Sequence, residues 1–343
     1  MTPHRFDELT QRYAQLSLAV VGDFCLDRYL EIDPARAETS LETGLPVHNV
    51  VNVRAQPGGA GTILNNLVAL GVGSLYAVGF TGEDGEGFEL RRALAALRGV
   101  RLDHFLHAPE RRTFTYCKPL VLHPGQPPRE LNRLDSKNWT PTPPALQEQI
   151  AGSVNRLART ANAFVLLSQV DVPETGVITT STLGAVRAIA ENEPRLPIIA
   201  DSRRGLAGFP PVSFKMNAAE LARLVGGKAE WRLEAVKEAA VSLARQNHRH
   251  VFVTLAEQGV LGAGPRGKVE HVPALPVRGP IDIVGAGDAV TANLTTALAV
   301  GATLRETLEI ANAAASVVIH QLGTTGTATV NQIREVLFGG VSA

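Results

Sequence analysis

Residues Ile281–Gly301 read IDIVGAGDAVTANLTTALAVG. A short apolar approach ends in Gly285-Ala286-Gly287, Asp288 follows at once, and the small and apolar residues beyond it suit a buried helix. Glycines let the backbone turn tightly and leave consecutive N–H groups facing outward at the positive end of the helix dipole, where an anion is favoured. Asp288 then stands in the first helical turn. It either caps the helix or accepts a proton from a hydroxyl brought beside that anion site.

Outward from this stretch, strand-like and helix-like pieces alternate along the chain, the signature of βαβ units. SLAVVGDFCLD is a continuous apolar run ending in Gly22-Asp23, as a buried parallel strand would be, with Asp23 and Asp27 expected beyond its carboxyl end where ligands gather in open α/β sheets. PGGAGTILNNLVALG (Pro57–Gly71) is a second glycine-rich turn feeding a helix. LYAVGFT, AFVLLSQVD, LPIIADSR, SFKMNAAE and HVFVTLAEQG follow as strands or strand ends, bringing Asp171, Asp201 and Glu220 toward one crevice. Two proline-broken β segments, approximately 28–57 and 105–135, stand outside the alternation. The expectation is one α/β domain over 1–343 with an inserted β lid. In the alanine-rich helix near the end, Asn312 is an amide that either contacts a ligand or bonds a neighbouring backbone group.

Composition narrows the function. Lys plus Arg equals Asp plus Glu at 33 each, so no global field attracts nucleic acid or an anionic membrane. Cys25 and Cys117 are far apart and outside any C-x-x-C pair, which fits a reducing compartment and no zinc or disulfide framework. No apolar run approaches transmembrane length, and the reading is a cytoplasmic protein.

Gly22-Asp23 with Asp27, Gly58-Gly59 before a helix, Asn217-x-x-Glu220, Gly285-Ala286-Gly287-Asp288 and Asn312 in the last long helix resemble, in order and spacing, the ribokinase-like or PfkB family of sugar kinases. Within it, GDFCLDRY, PGGAGTILNNLVALG, RLD and ANAAASVVIHQLGTT are similar to the kinases of D-glycero-D-manno-heptose 7-phosphate, whose fused nucleotidyltransferase would begin where this chain stops.

The resemblance implies a three-layer α/β/α core with a mostly parallel sheet and a small β lid, and transfer of phosphate from ATP with Mg²⁺, and a monovalent cation besides, to a sugar or sugar phosphate. By the same resemblance Asp288 is the base and the N–H groups of Gly285, Ala286 and Gly287 form the anion hole. Asp23, Asp27, Gly58, Gly59, Asn66 and Arg133 face the sugar, with Arg133 a candidate for its phosphate. Asn217, Thr254, Gly259 and Asn312 face the nucleotide, Glu220 holds Mg²⁺ through water, and the lid mediates a homodimer.

Departures fall on the same motifs. Thr62 stands where asparagine is usual, Ile283-Val284 replace Thr-Thr, Asn293 replaces a frequent glycine, and SQVD (Ser168–Asp171) and TLAEQG differ from the family pattern. Another sugar or nucleoside kinase, or a sugar- or nucleotide-binding regulator, remain as alternatives. A Rossmann dehydrogenase has no support, since no G-x-G-x-x-G follows the first strand.

Overall fold

The computed structural model describes residues 1–227 and 231–339. Among these, ten strands form the main sheet. Its order is Val269–Val272, Val260–Ala263, Val251–Thr254, Ser213–Asn217, Ile198–Ser202, Ala163–Ser168, Ser17–Gly22, Ser74–Thr81 and Val100–Arg101, with Phe105–His107 also paired to Ser74–Thr81. Pairing is parallel from Val100–Arg101 across to Val251–Thr254 and antiparallel for the last two strands.

Ser17–Gly22 is apolar without alternation because helices cover both faces of the sheet. Leu18 and Val20 join the core under helices Pro3–Thr10, Ala60–Ala69 and Ala286–Ala299, while Ala19 and Val21 join the opposite core under Pro144–Leu157 and Thr180–Asn192. That is the expected α/β/α sandwich. The helix Ala286–Ala299 is buried continuously from Ala289 to Ala297. Its threonines fit there because Thr291, Thr295 and Thr296 donate their hydroxyls to the carbonyls of Gly287, Thr291 and Ala292, one turn back.

A second, five-stranded sheet is built from Phe24–Ile32, Val50–Gly59, Thr115–Val121, Arg129–Glu130 and Leu134–Ser136. Phe24–Ile32 runs antiparallel to Val50–Gly59 and parallel to Thr115–Val121. Its limits differ from those read off the sequence. The first strand starts at Phe24 rather than near 28, and Phe105–His107 belongs to the main sheet, so the second segment contributes only from Thr115. The apolar run of the first strand continues through Phe24-Cys25-Leu26 with no turn residue, so the change of sheet leaves no mark in the pattern. Asp27 therefore lies within a strand of the small sheet and not in a loop beyond the first strand.

Asp23 is the joint between the two sheets. Its backbone N–H donates to the Leu167 carbonyl of the main sheet, and its carbonyl accepts from Ala60 N at the start of the glycine-fed helix. The buried carboxylate takes the N–H groups of Gln169 (2.7 Å) and Val170 (3.2 Å) on one oxygen and of Val177 (2.7 Å) on the other. Burial nonetheless pushes this carboxyl above its ordinary range, against the pull of those amides. Asp23→Ala leaves the buried Val177 donor and the part-buried Gln169 and Val170 donors without an acceptor, and we expect a loss of about 2–4 kcal/mol in stability, since an orphaned buried group costs roughly 1–3 kcal/mol and the part-buried ones less. An unchanged urea midpoint would remove Asp23 from this role.

Candidate active site

The loop before helix Ala286–Ala299 meets the helix at Gly285, whose φ of +83° is a left-handed conformation that favours glycine. Asp282 braces the loop through Oδ1, which accepts Val284 N at 3.0 Å. Ala286 N is turned back onto the Ile283 carbonyl at 3.2 Å. This corrects the expected anion hole. A tight turn over Ile283–Ala286 uses the Ala286 donor internally, and among the described residues the donors left without a protein acceptor are the N–H groups of Gly285, Gly287 and Asp288.

On one side of this helix end lies the small sheet. Asp27, 5 % exposed, accepts from Lys118 Nζ at 3.3 Å, and Lys118 also reaches the Tyr29 hydroxyl at 3.4 Å. Gly58 is required here by close approach: a methyl group on it would meet Asp27 Oδ2 at 2.5 Å and Cys25 Sγ at 2.9 Å. Gly59 ends the strand at φ +58° and caps the helix Ala60–Ala69. Asn66 is not in the cleft. It is fully buried, and its amide donates to the Thr62 carbonyl at 3.0 Å and toward Gly326 O at 3.5 Å, because it lies on the packed side of its helix. Thr62 is buried as well, so the departure from asparagine falls on a core position.

Beside Asp27, Tyr116 packs on Cys25, Phe114 and Val170 and collects three cations. Arg133 lies over its ring at 4.4 Å and Lys137 at 5.7 Å, while Arg203 Nη1 donates to its hydroxyl at 3.1 Å. Arg133 is held bidentately by Asp135 at 2.7 and 3.2 Å, and Lys137 donates to Asp171 at 2.7 Å.

On the other side, a cavity of about 710 Å³ runs from Ala286 and Gly287 past Asn217, Thr254, Gly259 and Asn312, so all four residues expected on the nucleotide side line one space. Asn217 and Glu220 form a capping box: Asn217 Oδ1 accepts Glu220 N at 2.9 Å and Glu220 Oε2 accepts Asn217 N at 2.7 Å. Asn312 donates to the Pro273 carbonyl at 2.8 Å, the backbone bond that was one of its two readings, while still lining the cavity. Gly259 is placed by packing, since a side chain there would overlap the backbone of Val272–Ala274.

The model of the pfkB family carbohydrate kinases matches residues 16–330. The chain belongs to that family. Similar relatives include the bifunctional protein HldE of Azorhizobium caulinodans, 32 % identical over 309 residues, and that of Rhodospirillum rubrum, 31 % identical over 325 residues. The matches cover 90 % and 92 % of this chain but 61 % of each relative's length. Among solved structures, Arabidopsis thaliana ribokinase complexed with ribose and ATP superposes with a TM-score of 0.65 at 21 % identity, covering 94 % of this chain and 99 % of that one. Phosphofructokinase-2 from Escherichia coli in complex with fructose-6-phosphate gives 0.66 at 19 %, covering 94 % and 98 %. At those identities the structures establish the fold, a ribokinase-like one.

The carbohydrate kinase carries two site lysines that its motifs did not announce, Lys118 and Lys215. Each is a charged residue within a largely buried strand, TYCKPLV and SFKMN, and that misfit is the signal that could have found them. Asp288 sits partly buried, with no hydrogen-bond partner for its carboxylate among the described residues. Its pKa is pushed up to about 7, first by desolvation and then by Asp201 and Asp27, while Lys215 pulls it down. A carboxyl with a folded-state pKa above its unfolded one destabilises the protein once ionised. Asp288→Asn should therefore raise stability at pH 8 by up to on the order of 4 kcal/mol, the gain shrinking as pH falls through 7 and vanishing near 4. Thermal melts of both proteins across that range test this, and a gain that does not depend on pH would contradict it.

Proposed function

We propose that the chain is an ATP-dependent kinase of a sugar that already carries a phosphate, with heptose 7-phosphate the leading candidate and the 1,7-bisphosphate its product. The observation that carries this reading is the group of Arg133, Lys137 and Arg203 around Tyr116, next to Asp27 and away from the nucleotide cavity. Three cations balanced by only Asp135 and Asp171 suit a dianionic phosphate, which Arg133 can take with its planar fork.

In this reading the sugar hydroxyls lie against Asp27, Lys118 and the bare backbone of Gly58 and Gly59. The acceptor hydroxyl gives its proton to Asp288 as its oxygen attacks the γ-phosphorus of ATP, and the bond from that phosphorus to the β,γ-bridging oxygen breaks, with ADP as the leaving group. The N–H groups of Gly285, Gly287 and Asp288 hold the phosphoryl oxygens during transfer, where positioned donors supply most of the stabilisation. The base of the nucleotide fits the apolar walls of the large cavity, among them Val260, Leu275 and Ile319. No cluster of three or more metal-ligating side chains occurs among the described residues, which fits an ion that arrives on the nucleotide phosphates. Mg²⁺ would neutralise phosphate charge, and Glu220 would hold it through water, its Oε1 being free of the capping box.

The small sheet serves as a lid that keeps water from the γ-phosphorus. Its edge strand Val50–Gly59 leaves Val50, Val51 and Val53 exposed, which supports pairing with the lid of a second copy.

A panel of sugars and sugar phosphates incubated with ATP and Mg²⁺ tests the assignment by ADP release; binding without release for every candidate would replace it with a sugar- or nucleotide-binding regulator. Asp288→Asn should bind the accepted sugar with near-normal affinity and lower kcat by ~10²–10⁴, the range for a positioned general base. Arg133→Ala should raise KM for the phosphorylated sugar far more than for its unphosphorylated analogue. Equal losses on both, with a lower Tm, would make Arg133 a structural partner of Asp135 alone.

A further inference from the structure

Strand Ser213–Asn217 is buried as far as Met216, and Lys215 in its middle is only 7 % exposed. A buried ammonium is costly unless its surroundings compensate it. Nζ donates to Asp201 Oδ2 at 2.8 Å, and the Thr291 hydroxyl lies 3.1 Å from that oxygen and 3.0 Å from the Gly287 carbonyl. A methyl group on Gly287 would sit 3.1 Å from Nζ, so the ammonium lies close against the first turn of the helix that follows Gly285. Lys215 stays firmly protonated: burial opposes its charge, but Asp201 and, beyond it, Asp288 and Glu220 more than restore it.

The charged groups that bear on Asp288 come from three elements. Asp201 at the end of Ile198–Ser202 and Asp27 in the small sheet both oppose its ionisation, and among the described residues Lys215 is the cation that favours it. We propose that Lys215 is a positioning residue for phosphoryl transfer: held beneath Gly287 by Asp201, whose carboxylate also takes the Thr291 hydroxyl, it is the cation that keeps Asp288 able to act as a carboxylate before nucleotide and sugar arrive. Asp201 then has two opposed effects, repelling the Asp288 charge directly and anchoring the lysine that offsets the repulsion. The proposal rests on Asp288 being the base of the proposed reaction.

The test is a ¹³C NMR titration of the full chain labelled at aspartate carboxyl carbons, with no nucleotide or sugar present and with Asp288→Asn used to assign the signal. Lys215→Gln, which keeps a donor for Asp201 but removes the charge, should raise the Asp288 midpoint by about one pH unit or more, a roughly tenfold weaker acid. Asp201→Asn should lower it. Adding Lys215→Gln to Asp201→Asn replaces the ion pair by a neutral one of similar shape, a change buried pairs tolerate well, and should raise the midpoint again relative to Asp201→Asn alone. A lysine with only a packing role would not move the two single variants in opposite directions. An unmoved midpoint in Lys215→Gln, or the same midpoint in Asp201→Asn with and without Lys215→Gln, overturns the proposal, and the second comparison holds even if Lys215→Gln alone does not fold. Because the titration needs no substrate, turnover of a sugar phosphate with an unmoved midpoint would sink the lysine's role and leave the kinase reading standing. A moved midpoint without turnover of any sugar would do the reverse.

Discussion

The Asp23 carboxylate, buried under three backbone N–H groups, is the contact on which the rest of the site depends. Within one residue the chain leaves the main sheet, at Gly22, and enters the small sheet, at Phe24. A bare change of sheet at that point would leave the loop after Ala163–Ser168 with amides buried and unpaired, which proteins avoid. Asp23 satisfies them and so fixes three things to one another: the central strand, the loop carrying Asp171, and the helix fed by Gly58-Gly59. Asp27 and Tyr116 then lie side by side, because they sit at paired register positions on neighbouring small-sheet strands.

Around that frame the cleft is divided by charge. Asp27, Asp201 and Asp288 come from three distant parts of the sequence, and two lysines, Lys118 and Lys215, each lie within hydrogen-bond reach of one of the other two carboxylates. Among the described residues Asp288 is left unpaired. In the proposed reaction the base must be available to a hydroxyl, which a salt bridge of its own would prevent, and the balance of neighbouring charges would take the place of a direct partner. The Arg133, Lys137 and Arg203 group lies on the small-sheet side of this arrangement, and the apolar cavity on the other.

The fold alone would not have distinguished among sugar kinases, since ribokinase and phosphofructokinase-2 superpose about equally well on this chain. The small sheet carries a more distinctive surface, where each of two tyrosines is flanked by two cations: Tyr29 by Arg54 and Lys118, Tyr116 by Arg133 and Lys137. Such a surface suits a polyhydroxylated, anionic ligand better than a neutral apolar one.

Local pattern by itself determined the α/β class and the buried character of the helix after Gly285-Ala286-Gly287, while the grouping of Asn217, Thr254, Gly259 and Asn312 on one side was implied by the family resemblance. Glycines that must turn, apolar runs that must be covered on both faces, and motif order are properties of neighbours along the chain. Only the tertiary structure decided where the small sheet begins, because Phe24-Cys25-Leu26 is as apolar as the strand before it. It also decided that the Ala286 donor is used inside its own turn, that Asn66 faces the core, and that Asp23 holds a loop together. Lys215 reached the site the same way: its partner Asp201 is 14 residues away in sequence, and no periodicity links an ammonium to a carboxylate on the adjacent parallel strand. Pairing across strands and the solvent exclusion that shifts a carboxyl are set by which surfaces meet, and surfaces meet only in three dimensions.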